Sequence, residues 1–279
     1  MDTKFEQFLR ERQYLKNVSA RTIQWYTESF KWFSSPAPSQ ADLTAVVIRM
    51  REAGLCASSC NNRIRAVNAY IHWTHAGSDM KCSPACKHPK LAKLKEPVKV
   101  LPIYSQDDIF KFAKWKPSGY LDTRLQVLIL LLADTGTRLD EALSLRWSDV
   151  DFNNLLITVT GKGDKQRIVP FSLELRKHLF KFKHGHELVF ATRDGGKLHS
   201  TNVWRNTHAL CNELGIHAPE RLIHALRHSF ATHFIRQGGN VFLLQKSLGH
   251  TTLDMSQRYC HMATNDLQAV HQKVSLLSR

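Results

Sequence analysis

Through the first 77 residues apolar side chains recur every three or four positions, the period that lines up one face of a helix. Four such stripes are present. Phe5, Phe8, Leu9 and Leu15 form the first. Ile23, Tyr26, Phe30 and Phe33 form the second, which opens after Ser19, a residue type that caps helix N-termini. Two prolines within residues 35–39 break the pattern, and a third stripe follows through Leu43, Val46, Val47 and Met50. The fourth starts at Ser58 or Ser59 and carries Ile64, Val67, Ile71 and Trp73.

After residue 101 the period changes along the chain. Ser105 with Asp108 three positions on predicts a helix start, followed by Ile109, Phe110 and Trp115. A strongly apolar helix spans 121–135 and stops at Gly136, and Arg138 opens the next helix with Glu141 one turn on. Between Leu155 and Phe171 two β-rich runs flank Gly-Lys-Gly-Asp, a hairpin signal that places Lys162 at the tip. A helix from Leu173 to Phe182, a third short strand at Leu188–Phe190, a turn at Asp194 and a helix from Asn202 to Leu214 follow. The stretch from Leu222 to His261 then predicts a helix with His224 and Arg227 on one face, a break at Gly238-Gly239, and a second helix from Val241 to Leu248. Beyond Leu248-Gly249-His250 a third short helical run holds Tyr259, and Leu267, Val270, Val274 and Leu277 form a small amphipathic tail. The expected fold is mainly α with a small antiparallel β-sheet, in two domains. Their expected bounds are 1–80 and 102–264, joined by a linker over 81–101 and followed by the tail over 265–279.

Residues 81–99 hold six lysines, one glutamate and prolines at 84, 89 and 97. Proline punctuation and like-charge repulsion predict an extended linker rather than a folded element. Charge then narrows the partner. Across 279 residues, 39 Lys and Arg stand against 24 Asp and Glu, a formal net charge of +15. Such an excess points to a polyanion, nucleic acid first. The longest apolar run, Val127 to Ala133, is too short to span a bilayer, and the N-terminus lacks the apolar core of a secretory signal. A cytoplasmic protein with no membrane partner is therefore expected. The six cysteines read as free thiols. Cys56/Cys60 and Cys82/Cys86 are C-x3-C pairs, an uncommon zinc-finger spacing, so structural packing is preferred to a metal knot. Asn61, Asn62, Arg63 and Arg65 open the fourth helix with groups suited to phosphates or base edges, although an ordinary solvated face would look the same. With Arg21 and the linker residues Lys87, Lys90, Lys93 and Lys95 they make up the expected DNA-binding set.

No phosphate-binding loop, dinucleotide fingerprint or serine elbow occurs, and there is no internal repeat. His224 and His228, four apart, would suit zinc, but the glutamate of a metalloprotease motif is missing and Arg227 lies between them. The groups present suit a phosphate instead. Arginine grips an oxyanion bidentately, imidazole moves protons and a phenol can attack. Arg138, Lys162, His224, Arg227, His250 and Tyr259, in this order and spacing, resemble the tyrosine recombinase (phage integrase) family, closest to its short Xer-like members. The matching segments read TGTRLDEALSL, GKGDKQRIVP, HALRHSFATH and LGH, with the terminal tyrosine, within residues 102–265. SARTIQWYTESFKWF and NNRIRAVNAYIHW are similar to the same family's core-site-binding domain.

The resemblance implies site-specific cleavage and rejoining of DNA through a 3′-phosphotyrosyl bond, without metal or cofactor. Tyr259 would be the nucleophile, Arg138 and Arg227 the phosphate clamp, and His224 the base with Glu141 orienting it. Lys162 would be the acid to the 5′ oxygen, and His250 would hydrogen-bond the phosphate. Paired core sites on double-stranded DNA would assemble four protomers. Two other readings stay open at this point: relaxation of DNA by a type IB topoisomerase-like monomer, and a non-catalytic DNA-binding regulator. Replicon resolution, integration or excision of a mobile element, and transposition are equally compatible with the sequence.

Overall fold

A computed structural model describes residues 3–33, 38–76, 89–96, 102–161 and 164–249. The chain divides into two compact units, Met1–Lys99 and Val100–Arg279.

Among its described residues the first unit is built on four helices: α1 (Thr3–Tyr14), α2 (Ala20–Phe30), α3 (Gln40–Glu52) and α4 (Ala57–Ala76). Ser19 caps α2 by accepting from the Thr22 amide, and Ser39 and Asp42 form a reciprocal capping box on α3. Apolar faces bury as their spacing demands. Phe8 meets Tyr70 and Trp73 edge-on, its ring centroid 5.4 Å from that of Tyr70, while Tyr70 and Trp73 stack on each other. Leu15 departs from its stripe: α1 ends one residue earlier, and its side chain is exposed.

The linker expectation needs correction for residues 89–96. This segment has no helix or strand, yet it is docked on the first unit, with Leu91 buried among Leu43, Ile64, Val67 and Ile71. Three side-chain amides hold its backbone. Asn61 accepts from the Leu94 amide at 2.7 Å and donates to the Leu94 carbonyl at 2.9 Å. Asn68 pairs with both groups of Leu91 in the same way, at 3.0 and 2.9 Å, and Gln40 with both groups of Lys90, at 3.1 and 3.3 Å. Each amide supplies one donor and one acceptor, so the segment is bound as a neighbouring β-strand would bind it. Like-charge repulsion is too weak to oppose this, because the lysines stay solvated.

The second unit centres on α6 (Tyr120–Thr135), buried along most of its length. α5 (Gln106–Lys114) precedes it, and the buried Gln126 donates to the Phe112 and Trp115 carbonyls where α5 ends. After the one-turn α7 (Leu139–Ala142) come β1 (Val150–Asp151), β2 (Leu156–Thr160) and β3 (Gln166–Pro170). They form an antiparallel sheet in the order β1-β2-β3, with Ile157 opposite Val169. The expected third strand at Leu188–Phe190 is not in this sheet. Val189 instead donates to the Leu145 carbonyl, and Leu188 forms an isolated bridge with Arg146. The sheet's third member is β1, whose two residues carry no readable alternation. α8 (Leu173–Phe182), α9 (Ser200–Glu213), α10 (Leu222–Arg236) and α11 (Val241–Leu248) complete the described part of the unit. α9 starts two residues before the expected Asn202. α10 packs on α6 and is tied to the unit's first turn: Ser229 accepts from the Tyr104 amide, and the Tyr104 hydroxyl donates to the Leu222 carbonyl.

Candidate active site

Among the described residues, the chemistry-bearing side chains gather where α6 ends, α7 begins and α11 ends. Gly136 closes α6 in the left-handed conformation at φ 64°. Only a glycine fits there, because a Cβ would lie 2.4 Å from the Phe230 ring and 2.8 Å from Leu248. The chain then turns so that Arg138 caps α7, its amide donating to Glu141 Oε2 at 2.8 Å and its guanidinium to Glu141 Oε1 at 2.8 Å. Arg138 remains 39% exposed while Glu141 is only 6% exposed.

Glu141 has a second cationic partner. Arg167 on β3 donates from both terminal nitrogens to the two Glu141 oxygens, at 3.0 and 2.8 Å. Burial pushes this carboxyl upward, but the Arg167 fork, the Arg138 amide and the Arg138 guanidinium outweigh it and take the pKa down to about 2. The carboxylate is therefore ionised throughout the neutral range. Its orienting role differs from the one expected: its four bonds hold arginines, not His224. The sequence reading missed Arg167, although strand alternation carries the signal. Arg167 shares a face of β3 with the buried Val169, and an inward-facing charge needs a partner.

On α10, Arg227 is buried and donates to the Gly136 carbonyl at 2.7 Å and to the Leu248 carbonyl at 2.8 Å. It thereby pins the ends of α6 and α11 together. Of the two arginines expected as a clamp, only Arg138 presents its guanidinium to solvent. His224, one turn before Arg227, borders a groove of about 540 Å³ between α9 and α10 that Leu139, Trp204 and Arg221 also line. Partial burial and then the charges of Arg227, Arg221 and Arg138 hold its pKa below the ordinary histidine value. A neutral imidazole among three arginines is a proton acceptor at neutral pH. Its ring packs edge-on against His228, with centroids 4.6 Å apart.

The hairpin base adds a further element. A Cβ at Gly161 would come within 3.5 Å of Glu141 Oε1, which puts the start of the β2–β3 turn over the same carboxylate. Lys162, His250, Tyr259 and Lys87 lie outside the described residues. So do Cys82, Cys86 and the expected tail. Among the described residues no group of three or more His, Cys, Asp or Glu could hold a metal ion.

In the first unit Arg21, Asn62, Arg65, Lys90, Lys93 and Lys95 are exposed, with Arg65 over the Trp25 ring at 5.9 Å. Arg63 is half-buried and donates to the Ser59 carbonyl. Asn61 must be withdrawn from the DNA-reading set. It is buried, and its amide is committed to Leu94 and Glu96.

Residues 105–266 match the model of the phage integrase family. The chain is 28% identical to the tyrosine recombinase XerC of Xanthomonas campestris pv. campestris (strain B100), over 95% of this chain and 86% of that protein. It is 27% identical to the tyrosine recombinase XerD of Listeria monocytogenes serotype 4b (strain F2365), over 98% of each. Its fold is similar to that of the XerH site-specific recombinase in a post-cleavage complex with palindromic difH substrate. The TM-score is 0.73 at 21% identity, covering 99% of this chain and 84% of the other. The chain belongs to the phage integrase family, and its activity is the site-specific breakage and rejoining of DNA strands characteristic of tyrosine recombinases. The topoisomerase-like and regulator readings find no counterpart among these relatives.

Proposed function

We propose that the protein recombines paired core sites on double-stranded DNA, with Tyr259 as nucleophile. The observation that carries this reading is the exposed guanidinium of Arg138, anchored to a buried carboxylate beside a neutral His224. The Tyr259 oxygen attacks the scissile phosphorus and its proton passes to His224. The P–O5′ bond breaks, and Lys162 protonates the departing 5′ oxygen. Arg138 and His250 balance charge on the non-bridging oxygens, with the buried Arg227 adding its positive field, and one arginine at such a centre is worth ~10³–10⁵ in rate. The resulting 3′-phosphotyrosyl ester keeps the energy of the broken bond, so a 5′ hydroxyl from a partner strand rejoins without ATP.

The first unit, through Arg21, Asn62, Arg63, Arg65, Lys90, Lys93 and Lys95, grips the phosphate backbone, with Lys87 contributing from the same linker. Positioning contacts of this kind gain from counterion release. The protein acts in the cytoplasm as a monomer that becomes a tetramer on DNA, because exchange between two duplexes needs four cuts. The test is a nicked core site that loses its 5′ fragment after cleavage. Wild type should be trapped covalently, and Tyr259→Phe should bind without trapping. A covalent adduct in the Phe variant would remove Tyr259 from its role.

A further inference from the structure

Arg167 makes more contacts at this site than any role assigned above requires. Its fork closes on both oxygens of Glu141, and its Nε donates to the Ser247 carbonyl at 2.7 Å. Its side chain is 11% exposed. The backbone of Gly249 passes against it, since a Cβ there would lie 3.2 Å from Arg167 Cδ. One guanidinium therefore joins three pieces of the site. These are the carboxylate that fixes Arg138, the strand that leaves the Lys162 hairpin, and the last turn of α11, which leads in sequence to His250 and Tyr259.

We propose that Arg167 is a positioning residue for the phosphate clamp: it locks Glu141, and through Glu141 the guanidinium of Arg138, against the end of α11. Glu141 is nearly buried and accepts from both arginines. Without Arg167 the carboxylate would keep a single cation and lose the fork that fixes its plane. Arg138 would then turn with it. Lysine at position 167 would keep the charge but could not bind two carboxylate oxygens and a carbonyl together. The exposed part of the site would still carry every group that touches DNA, so binding should survive where cleavage does not.

The inference rests on the reading of Arg138 as the phosphate clamp, and the test separates the two. Full-length wild type, Arg167→Gln, Arg167→Lys and Arg138→Ala are compared for duplex binding and single-turnover cleavage. Each is run on a normal core site and on one whose scissile phosphate is a methylphosphonate, which has one negative charge fewer and asks less of an arginine. Arg167→Gln should bind within threefold of wild type and cleave the normal phosphate about 10²-fold more slowly. Arg167→Lys should recover little of that rate. On the methylphosphonate the gap between Arg167→Gln and wild type should close to within about fivefold, as should the gap for Arg138→Ala. A variant that only loosens the fold loses the same factor on both substrates, and that outcome for Arg167→Gln overturns the proposal. If Arg138→Ala also fails to recover, the clamp reading itself is wrong. Should Arg167→Gln not fold, Glu141→Gln keeps the question open to measurement, because it removes the same lock from the other side. It must then show the same substrate-dependent recovery, and equal loss on both substrates again overturns the proposal.

Discussion

Substituting Gly136 by alanine should damage stability and chemistry together. The backbone there sits at φ 64°, where an L side chain costs roughly 1–2 kcal/mol. The new methyl also has no room, with the Phe230 ring at 2.4 Å and Leu248 at 2.8 Å, and overpacking of this kind costs about 1–3 kcal/mol. Together the loss is roughly 2–5 kcal/mol, or about 4–20 °C in Tm for a unit of this size. Scanning calorimetry of the full chain should show the fall in the transition of the second unit alone. The Gly136 carbonyl also accepts from Arg227, so cleavage measured well below the new Tm should still be slowed. Trimming Phe230 to leucine in the same chain should return part of the lost stability, because the closest clash is with its ring. An unchanged Tm, or strictly additive losses in the double variant, would refute the packing argument.

Three further expectations concern chemistry and assembly. Lys162→Ala should regain most of its cleavage on a site whose 5′ bridging oxygen is sulfur, since a thiolate leaves unprotonated; no recovery means that Lys162 is not the acid. His224 accepts a proton only when neutral, and its lowered pKa keeps it neutral below the ordinary histidine range. Single-turnover cleavage should therefore persist below about pH 6.5, and Arg221→Ala, which removes one of the charges responsible, should move the acid limb upward. A limb that stays put or moves down contradicts the assignment. Truncation after Thr264 should spare single-site binding and abolish pairing of two sites, as read by native gel mobility. A truncated chain that melts much earlier yet still pairs sites in the cold would make the tail part of its own domain.

Much of the framework was legible because burial imposes a period. α8 and α11 have the bounds read from their stripes, and the Gly-rich turn located the β2–β3 hairpin. Arg138 and Glu141 were readable as neighbours because they are one turn apart. What escaped the sequence depends on distance along the chain. Nothing local says that Arg167 reaches back 26 positions to Glu141 and forward 80 to Ser247. The same holds for Asn61, whose place in the opening turn of a basic helix suggested DNA while its partner lay 33 residues on. A lysine-rich run with three prolines also reads as unattached, because composition reports solvation and not what grips the backbone.

That grip has a consequence for how the protein can change. Gln40, Asn61 and Asn68 hold residues 90, 91 and 94 by main-chain groups that nearly every amino acid carries. Leu91 and Leu94 also pack on the unit's core and Glu96 accepts from Asn61, but the exposed lysine side chains between them take no part in the attachment. Lys90, Lys93 and Lys95 can be exchanged for neutral or acidic residues and the segment stays in register, whereas proline at 90, 91 or 94, which lacks the amide hydrogen, would break one of its backbone pairings. If these lysines contact DNA as proposed, electrostatic attraction can thus be raised or lowered one charge at a time by substitution, on a rail whose course its lysines do not set.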